Sequence, residues 1–247
     1  MDKPFTYTFP NGRTAQAIQV QYMQELPSAL HALGIQYPRP TLVLIGGASG
    51  ISDDEMAHLH RLFQEALAPL FDALGVVVVD GGTDAGTMRL IGNARGKIGA
   101  SFALLGVAAI GTVALTDAAL DRPNNELLEP NHSHFMLIPG ANWGDESFWI
   151  VRVAAEIAQG RPSITLLVNG GEIAWDDITK SVEAHRPVVV IKGSGRTADK
   201  LAAAMQGDAV DERAQKLIAS GLLLSINLTN DFEPIVTTMK TYFEGRG

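Results

Sequence analysis

The stretch that decides the fold is residues 41–50, TLVLIGGASG, an unbroken apolar run that ends in a glycine-rich turn. The same succession of apolar run, glycine turn and helical stretch returns at 76–87, 135–140, 166–171 and 187–196. Continuous Val/Ile/Leu runs are typical of parallel strands buried on both faces, and regular strand–helix alternation gives right-handed crossovers. We therefore predict an α/β fold that is Rossmann-like and doubly wound, with a mainly parallel sheet and helices on both faces.

The first 40 residues predict an N-terminal β-hairpin extension of this core. Aromatic residues alternate with others between positions 5 and 9, and the Asn-Gly pair at 11–12 is typical of a type I′ hairpin turn. No linker-like composition or block of charge divides the chain, so a single nucleotide-binding domain is predicted over 1–247. Its predicted parts are the hairpin and helix extension at 1–40, the core at 41–205, and a C-terminal helical extension at 206–247.

Composition and charge exclude several classes of function. The formal net charge of −8 argues against nucleic acid as a partner, because phosphate backbones are bound by clustered Lys and Arg. The absence of cysteine excludes disulfides, thiolate metal sites and a cysteine nucleophile. The N-terminus lacks the pattern of a signal peptide, and the most apolar stretch, 102–115, is shorter than the roughly 18 residues of a membrane helix. A cytoplasmic protein without direct membrane insertion is expected.

The glycine loops predict a ligand site. In an open parallel sheet the loops at the carboxyl ends of the strands line one crevice. Glycines there let a ligand touch backbone N–H groups, and helix N-termini favour anions, so a small-molecule nucleotide is the expected ligand. The glycines expected to contact it are Gly46, Gly47, Gly81, Gly82, Gly86, Gly140, Gly144, Gly170, Gly171, Gly193 and Gly195.

The sharpest local motif is residues 193–198, GSGRTA, which matches G-x-G-x-x-A between a predicted strand and a predicted helix. We expect Ser194 and Arg196 to bind phosphate there, with the guanidinium as a bidentate clamp. The alternative is a tight turn with a solvent-facing arginine. An NAD(P)-dependent oxidoreductase is a weaker interpretation, because no acidic residue ends a following strand about 20 positions on to hold a ribose.

The loop at 80–87 has the same strand–loop–helix context. Thr83 and Thr87 are expected to bind phosphate or ribose, and Asp80 is a candidate for a ribose diol. The alternative interpretation of this loop is that Asp84 simply caps the following helix.

The loop at 46–50, which includes Ala48 and Ser49, is followed by three acids at 53–55. Those acids already occupy the positive end of the next helix, so this loop is expected to approach a base or sugar rather than a phosphate.

Three further side chains are candidates. His132 is expected to contact the ligand; it precedes a predicted strand together with His134, but no third ligand is spaced for a metal, so no metal site is predicted. Trp143 is expected to stack on a base, or simply to pack. Glu146 is a candidate general acid/base or ribose ligand, and the alternative is the ordinary preference for acids in a first helical turn.

These motifs together resemble the cytosolic N-terminal domain of TRPM ion channels. The resemblance is carried, in the same order along the chain, by the stretches at 80–86, 131–138, 144–146, 167–171 and 187–199. It implies a stand-alone prokaryotic-type member of the SLOG superfamily (the LSDAT group), whose channel-linked members are proposed ligand sensors. Since some TRPM channels bind ADP-ribose through this domain, the resemblance implies a sensor for ADP-ribose or a related NAD-derived or adenine nucleotide such as AMP, with no other cofactor required.

A more distant resemblance is to the LOG phosphoribohydrolases of the same superfamily, whose hallmark is P-G-G-x-G-T-x-x-E. Residues 139–146, PGANWGDE, keep that frame and place Glu146 near the catalytic acid. The Gly-Thr pair is absent, and His132 stands where the family has an arginine. The resemblance implies an alternative function, a nucleotide N-glycosidase that uses Glu146. A homo-oligomer and a separate effector or channel protein both remain open as partners.

Overall fold

The computed structural model describes residues 2–47, 50–115, 125–208 and 211–245. Its strands are β1 (Phe5–Thr8), β2 (Thr14–Gln19), β3 (Thr41–Gly46), β4 (Val77–Asp80), β5 (Leu104–Ala109), β6 (Val113–Ala114), β7 (Glu126–Leu127), β8 (His134–Ile138), β9 (Ser163–Val168), β10 (Val188–Lys192) and β11 (Leu223–Asn227). Its helices are α1 (Leu26–Ala32), α2 (Asp53–Arg61), α3 (Ala68–Leu74), α4 (Gly86–Ile98), α5 (Ser147–Ala158), α6 (Ile173–Glu183), α7 (Arg196–Met205), α8 (Glu212–Ala219) and α9 (Glu233–Phe243), with a π-helical turn joining α2 to α3.

The central sheet has nine strands in the order β1-β2-β8-β5-β4-β3-β9-β10-β11. Every neighbouring pair is parallel except the β1–β2 hairpin, in which Phe5 lies opposite Ala17. The predicted doubly wound α/β fold and its N-terminal hairpin are therefore confirmed. The hairpin joins the sheet because β2 pairs in parallel with β8.

The C-terminal extension adds one element that was not predicted. It was expected to be helical, but the run 223–227 forms strand β11, which pairs in parallel with β10 at the far edge of the sheet. A strand forms there because β10 offers a ladder of unpaired backbone hydrogen-bonding groups, which the five residues of β11 satisfy.

Helices cover both faces of the sheet, and alternate residues of each strand point to opposite faces. Val43 and Ile45 of β3 belong to the core beneath α1, α5, α6, α7 and α8. Leu42 and Leu44 belong to the core beneath the helical stretch from α2 to α4 and α9. Strands buried on both faces explain why these segments are continuously apolar in sequence.

The strand order changes direction beside β3. The chain leaves β3 towards β4 and β5 on one side, and later returns to place β9 on the other side. Ligands of open α/β sheets bind outside the carboxyl ends of the strands at such a switch point. The loops that follow β3 and β9 therefore mark where a site is expected.

Candidate functional site

A cavity of about 380 Å³ lies at this switch point. Such a volume falls in the lower part of the range for small-molecule sites, about 300–1,000 Å³. Its walls come from the ends of β3 and β4, the loop before α5, and the N-terminal turns of α5, α6 and α7. The lining residues are Val43, Leu44, Ile45, Gly46, Gly47, Gly81, Thr83, Met88, Trp143, Glu146, Ser147, Ile150, Val151, Gly171, Glu172, Ile173, Ala174, Asp177 and Arg196.

Gly46 is required at the floor of the cavity because the backbone of β9 passes very close to it. A Cβ at Gly46 would lie 2.1 Å from the carbonyl oxygen of Val168 and 2.7 Å from Cγ2 of Thr87. A Cβ at the neighbouring Gly47 would meet Asn169 Oδ1 at 3.5 Å and the Gly170 nitrogen at 4.0 Å, both ordinary contact distances. Gly46 is therefore needed for the close packing of β3 against β9, whereas Gly47 lines the cavity without such a close contact.

The G-x-G motif is locked onto the loop after β9. Asn169 has a φ of +59° and is fully buried. Its N–H donates to Ser194 Oγ at 2.8 Å, and its Nδ2 donates to the Ser194 carbonyl at 3.0 Å. Gly195 is required because a Cβ there would lie 2.7 Å from Asn169 Nδ2. The two loops form one rigid unit behind the cavity.

This unit uses most of the N–H groups that the motif was expected to offer to phosphate. Gly193 N–H donates to the Asp199 carboxylate, and Ser194 N–H donates to the Ile191 carbonyl. Thr197 and Ala198 N–H donate to the carbonyls of residues 170 and 169. Ser194 Oγ, which accepts from Asn169, also donates to the Ile191 carbonyl at 2.6 Å. The backbone of 193–198 is therefore chiefly a structural turn, and its contribution to the cavity is the side chain of residue 196.

Arg196 begins α7 and lines the cavity. Its two terminal nitrogens lie 3.5 Å from the position of a Cβ at Gly171, so the guanidinium crosses directly over that glycine. Its backbone has a φ of +45°, in the left-handed region that disfavours side chains other than glycine. A strained residue whose cation faces a cavity is a candidate for function.

The opposite charge in the cavity comes from the first turns of α5 and α6. Glu146 occupies the N-cap position of α5 and is only 9% exposed, and its Oε2 accepts from the Gly144 N–H at 3.0 Å. Ser147, the next residue, is 1% exposed, and its Oγ has no hydrogen-bond partner among the described residues. Asp177, one turn into α6, is partly buried and faces the same space.

The pKa values of both carboxyl groups are raised, which favours their neutral forms. Burial raises the pKa of Glu146, and the nearby Asp145 adds to the increase. Burial raises the pKa of Asp177 to about 7; Glu146 and Asp176 act in the same direction, while Ser147 and Lys180 oppose them. Carboxyl groups with raised pKa values inside a cleft are typical of sites that bind or transfer protons.

His132 lies outside the cavity lining, in a buried network beneath the 80–87 loop. Its Nε2 and Nδ1 lie 2.9 and 2.8 Å from Asp80 Oδ1 and Glu129 Oε2. Asp80 Oδ1 also accepts from the Gly82 N–H at 2.8 Å. Asp80, Glu129 and His132 are each at most 1% exposed. The structure thus places His132 and Asp80 where they hold the loop, rather than where a ligand would meet them directly.

The structure brings only part of the predicted set together. The predicted residues that line the cavity are Gly46, Gly47, Gly81, Thr83, Trp143, Glu146, Gly171 and Arg196. The predicted residues that the structure places outside its lining are Gly82, Gly86, Thr87, His132, Gly140, Gly144, Gly170, Gly193, Ser194 and Gly195. Ala48 and Ser49 lie outside the described residues.

Sequence reasoning missed Ser147 and Asp177. A usable signal existed for Asp177, because it lies between the buried Ala174, Ile178 and Ser181 on the inner face of α6. An acid on the inner face of an amphipathic helix is uncommon unless something pairs with it.

Residues 39–235 match the family described as SLOG in TRPM, prokaryote. The chain belongs to this family. The predicted resemblance to the LSDAT group is thereby confirmed.

Two curated relatives of this SLOG chain are TRPM channel subunits. Transient receptor potential cation channel subfamily M member 2 of Mus musculus is 23% identical over 224 residues, which cover 74% of this chain and 15% of the channel subunit. Member 6 of Homo sapiens is 23% identical over 222 residues, covering 76% of this chain and 11% of the subunit. The SLOG chain thus spans a small part of the length of these relatives. Among its described residues, no helix is long and apolar enough to cross a membrane.

A solved structure has the same fold. The X-ray structure of TM1055, a Northeast Structural Genomics Consortium target, superposes with a TM-score of 0.55 and 17% identity, covering 82% of this chain and 99% of that one. This likeness concerns the fold, which is Rossmann-like in both chains. Membership of the SLOG family and the TRPM relatives support a nucleotide-related domain.

Proposed function

We propose that this SLOG chain is a ligand-binding sensor for ADP-ribose or a related NAD-derived or adenine nucleotide, bound in the switch-point cavity. The observation that carries the proposal is the position of Arg196: a cation in a left-handed backbone conformation, set over Gly171 on the wall of a cavity where the sheet changes direction. Family membership and the TRPM relatives support it.

The chemistry of the walls suggests how such a ligand lies. Arg196 is the cationic residue of the lining, so the phosphates belong beside it. The N-terminus of α4 lies close by and carries no acidic residue in its first turn, so it also favours an anion. Trp143 and Ile173, at 37% and 40% exposed, offer an apolar surface for the base at the mouth.

Calorimetric titration of ADP-ribose and of AMP into the full chain tests the proposal. Saturable binding at micromolar or better affinity is expected, with the ligand recovered intact. Arg196→Ala is expected to weaken binding about tenfold or more, the scale of a charged hydrogen bond. Arg161→Ala is the matched control, because that exposed arginine lies beside Pro162 and Tyr242, away from the cavity. Unchanged affinity in Arg196→Ala, or absence of binding, would overturn the proposal.

A second candidate function is hydrolysis of a nucleotide at its N-glycosidic bond. The observation that favours it is Glu146, whose pKa is raised by burial within the cavity, as a general acid requires. Incubation with AMP and chromatography for free base test this candidate. Turnover that Glu146→Gln abolishes and Asp176→Asn retains would support it; intact AMP would exclude this substrate and favour the sensor.

A sensor also needs a readout. We propose that a separate effector, a channel protein or a second copy of the chain receives the signal. Size-exclusion chromatography with and without ADP-ribose tests the second copy, for which a ligand-dependent change in elution is expected.

A further inference from the structure

Three polar groups with unused hydrogen-bonding capacity meet on one wall of the cavity, between α5 and α6. Ser147 Oγ is buried and has no partner among the described residues. Glu146 is 9% exposed, and its Oε2 accepts from the Gly144 N–H. Asp177 faces them from α6, where the Glu146 charge acts on its carboxyl group and the Ser147 hydroxyl is close by without a hydrogen bond of ordinary geometry.

Unsatisfied polar groups are rare in protein interiors, and each one calls for a partner. Carboxylates accept hydrogen bonds, and a serine hydroxyl both donates and accepts. A pair of adjacent alcohol groups supplies two donors and several acceptor sites in one rigid unit, and it fits this set without bringing a further charge to this wall of the cavity. Burial raises the pKa of both acids, and the charge of Glu146 raises that of Asp177 further, which favours neutral hydroxyls over a metal cation as the partner.

We propose that Glu146, Ser147 and Asp177 form a subsite for the 2′ and 3′ hydroxyls of a ribose, and that it selects ribosyl over 2′-deoxyribosyl nucleotides. This inference rests on the proposed function, since it assigns the sugar end of the same ligand. It places the ribose between the phosphates at Arg196 and the base at Trp143, in agreement with the cavity lining.

The discriminating ligand pair is AMP and 2′-deoxy-AMP, which differ in one hydroxyl. Wild-type protein is expected to bind AMP about tenfold or more tightly by calorimetry, because loss of a hydroxyl leaves buried groups of the site unpaired. Asp177→Asn and Ser147→Ala are each expected to lower AMP affinity and to reduce the preference towards unity. Asp176→Asn is the matched control: the adjacent acid is exposed and pairs with Lys180.

The outcomes separate the two proposals. Binding of both nucleotides with equal affinity would overturn the ribose subsite and leave the nucleotide-binding proposal standing. A preference for AMP that survives in both Asp177→Asn and Ser147→Ala would overturn the assignment to this wall. Binding of neither nucleotide nor ADP-ribose would overturn both. Thermal melts of each variant establish that it is folded, and Ser147→Ala, which removes one oxygen only, keeps the test available if the Asp177 variant is unstable.

Discussion

Nε2 of His132 lies 2.9 Å from Oδ1 of Asp80, at the end of the strand that leads into the cavity wall. The other ring nitrogen faces Glu129, so each nitrogen meets a carboxylate oxygen. Burial alone would lower the pKa of His132, but the charges and hydrogen bonds of Asp80 and Glu129 raise it to about 9. The ring is therefore an imidazolium clamped between two buried acids, and it fixes the position of the 80–87 loop.

Removal of this cation is expected to destabilise the protein. His132→Gln leaves two buried carboxylates without their counter-charge, and breaking such a pair costs about 3–5 kcal/mol of unfolding free energy. Because the folded pKa lies above the unfolded value, the contribution is fully present below the unfolded pKa of 6.5 and is lost as pH rises through about 9. Urea unfolding of wild type across this window is expected to show falling stability. His132→Gln is expected to lack this pH-dependent contribution. An equal slope of unfolding free energy against pH in both proteins would contradict the charged state assigned to His132.

The two glycines at the end of β3 are expected to respond differently to alanine. At Gly46 the added methyl group would collide with the Val168 backbone, so Gly46→Ala is expected to lower unfolding free energy by about 3 kcal/mol. At Gly47 it would meet Asn169 at an ordinary distance, and a change within about 0.5 kcal/mol is expected. Chemical denaturation of the pair measures both effects. Equal destabilisation by the two substitutions would contradict the close packing of the β9 backbone against Gly46.

Arg196→Gly is expected to separate stability from function. Glycine adopts the φ of +45° without the steric cost of a side chain, so a gain of about 1 kcal/mol in unfolding free energy is expected. The same change removes the cation over Gly171 and is expected to weaken ADP-ribose binding as strongly as Arg196→Ala does. Thermal melts and calorimetry on one preparation compare the two quantities. A variant that is less stable and binds normally would refute this account of Arg196.

Asp177 is expected to make the protein less stable as pH rises. Its pKa is raised from 3.8 to about 7 in the folded state, chiefly by burial. The native state therefore holds more protons than the unfolded state between these values, and unfolding free energy falls with increasing pH across this window. The facing groups that set the shift are Glu146 and the Ser147 hydroxyl on α5, with Asp176 and Lys180 on α6 itself.

The measurement is the melting temperature of wild type and Asp177→Asn from about pH 4 to pH 8, the window of this linkage. The Asp177→Asn variant is expected to lose the part of the decline that Asp177 causes, whereas Asp176→Asn is expected to keep most of it, because burial is the largest cause of the raised pKa. Parallel curves for wild type and Asp177→Asn would place the carboxyl group in water instead of against the cavity wall.

The sequence predicts those features that local pattern controls. Parallel buried strands such as β3 and β9 are visible because burial on both faces removes polar residues from them. The same alternation predicts which strand ends share an edge, and hence that Gly46, Gly171 and Arg196 meet. Strand β11 is not visible in this way, because its three-residue apolar core is short and its partner β10 lies more than 30 residues earlier.

Contacts between distant segments set the limit of prediction at the site. The motif at 193–198 has the spacing of an anion cradle, but the carbonyls of residues 169 and 170 occupy its amides. His132 has the chemistry of a ligand contact, but Asp80, from another strand, takes up its Nε2. Asp177 was not predicted to lie in the site, because only the packing of α6 against α5 brings it close to Glu146. Composition and residue spacing do not report such contacts between segments that are distant in sequence.

The locked turn between Asn169 and Gly195 has a consequence for how this site can diverge. Because the turn is held by its own hydrogen bonds, its shape does not depend on the side chain at position 196. If the proposed function holds, a substitution at position 196 is therefore expected to change which ligand the cavity binds while the surrounding backbone is preserved.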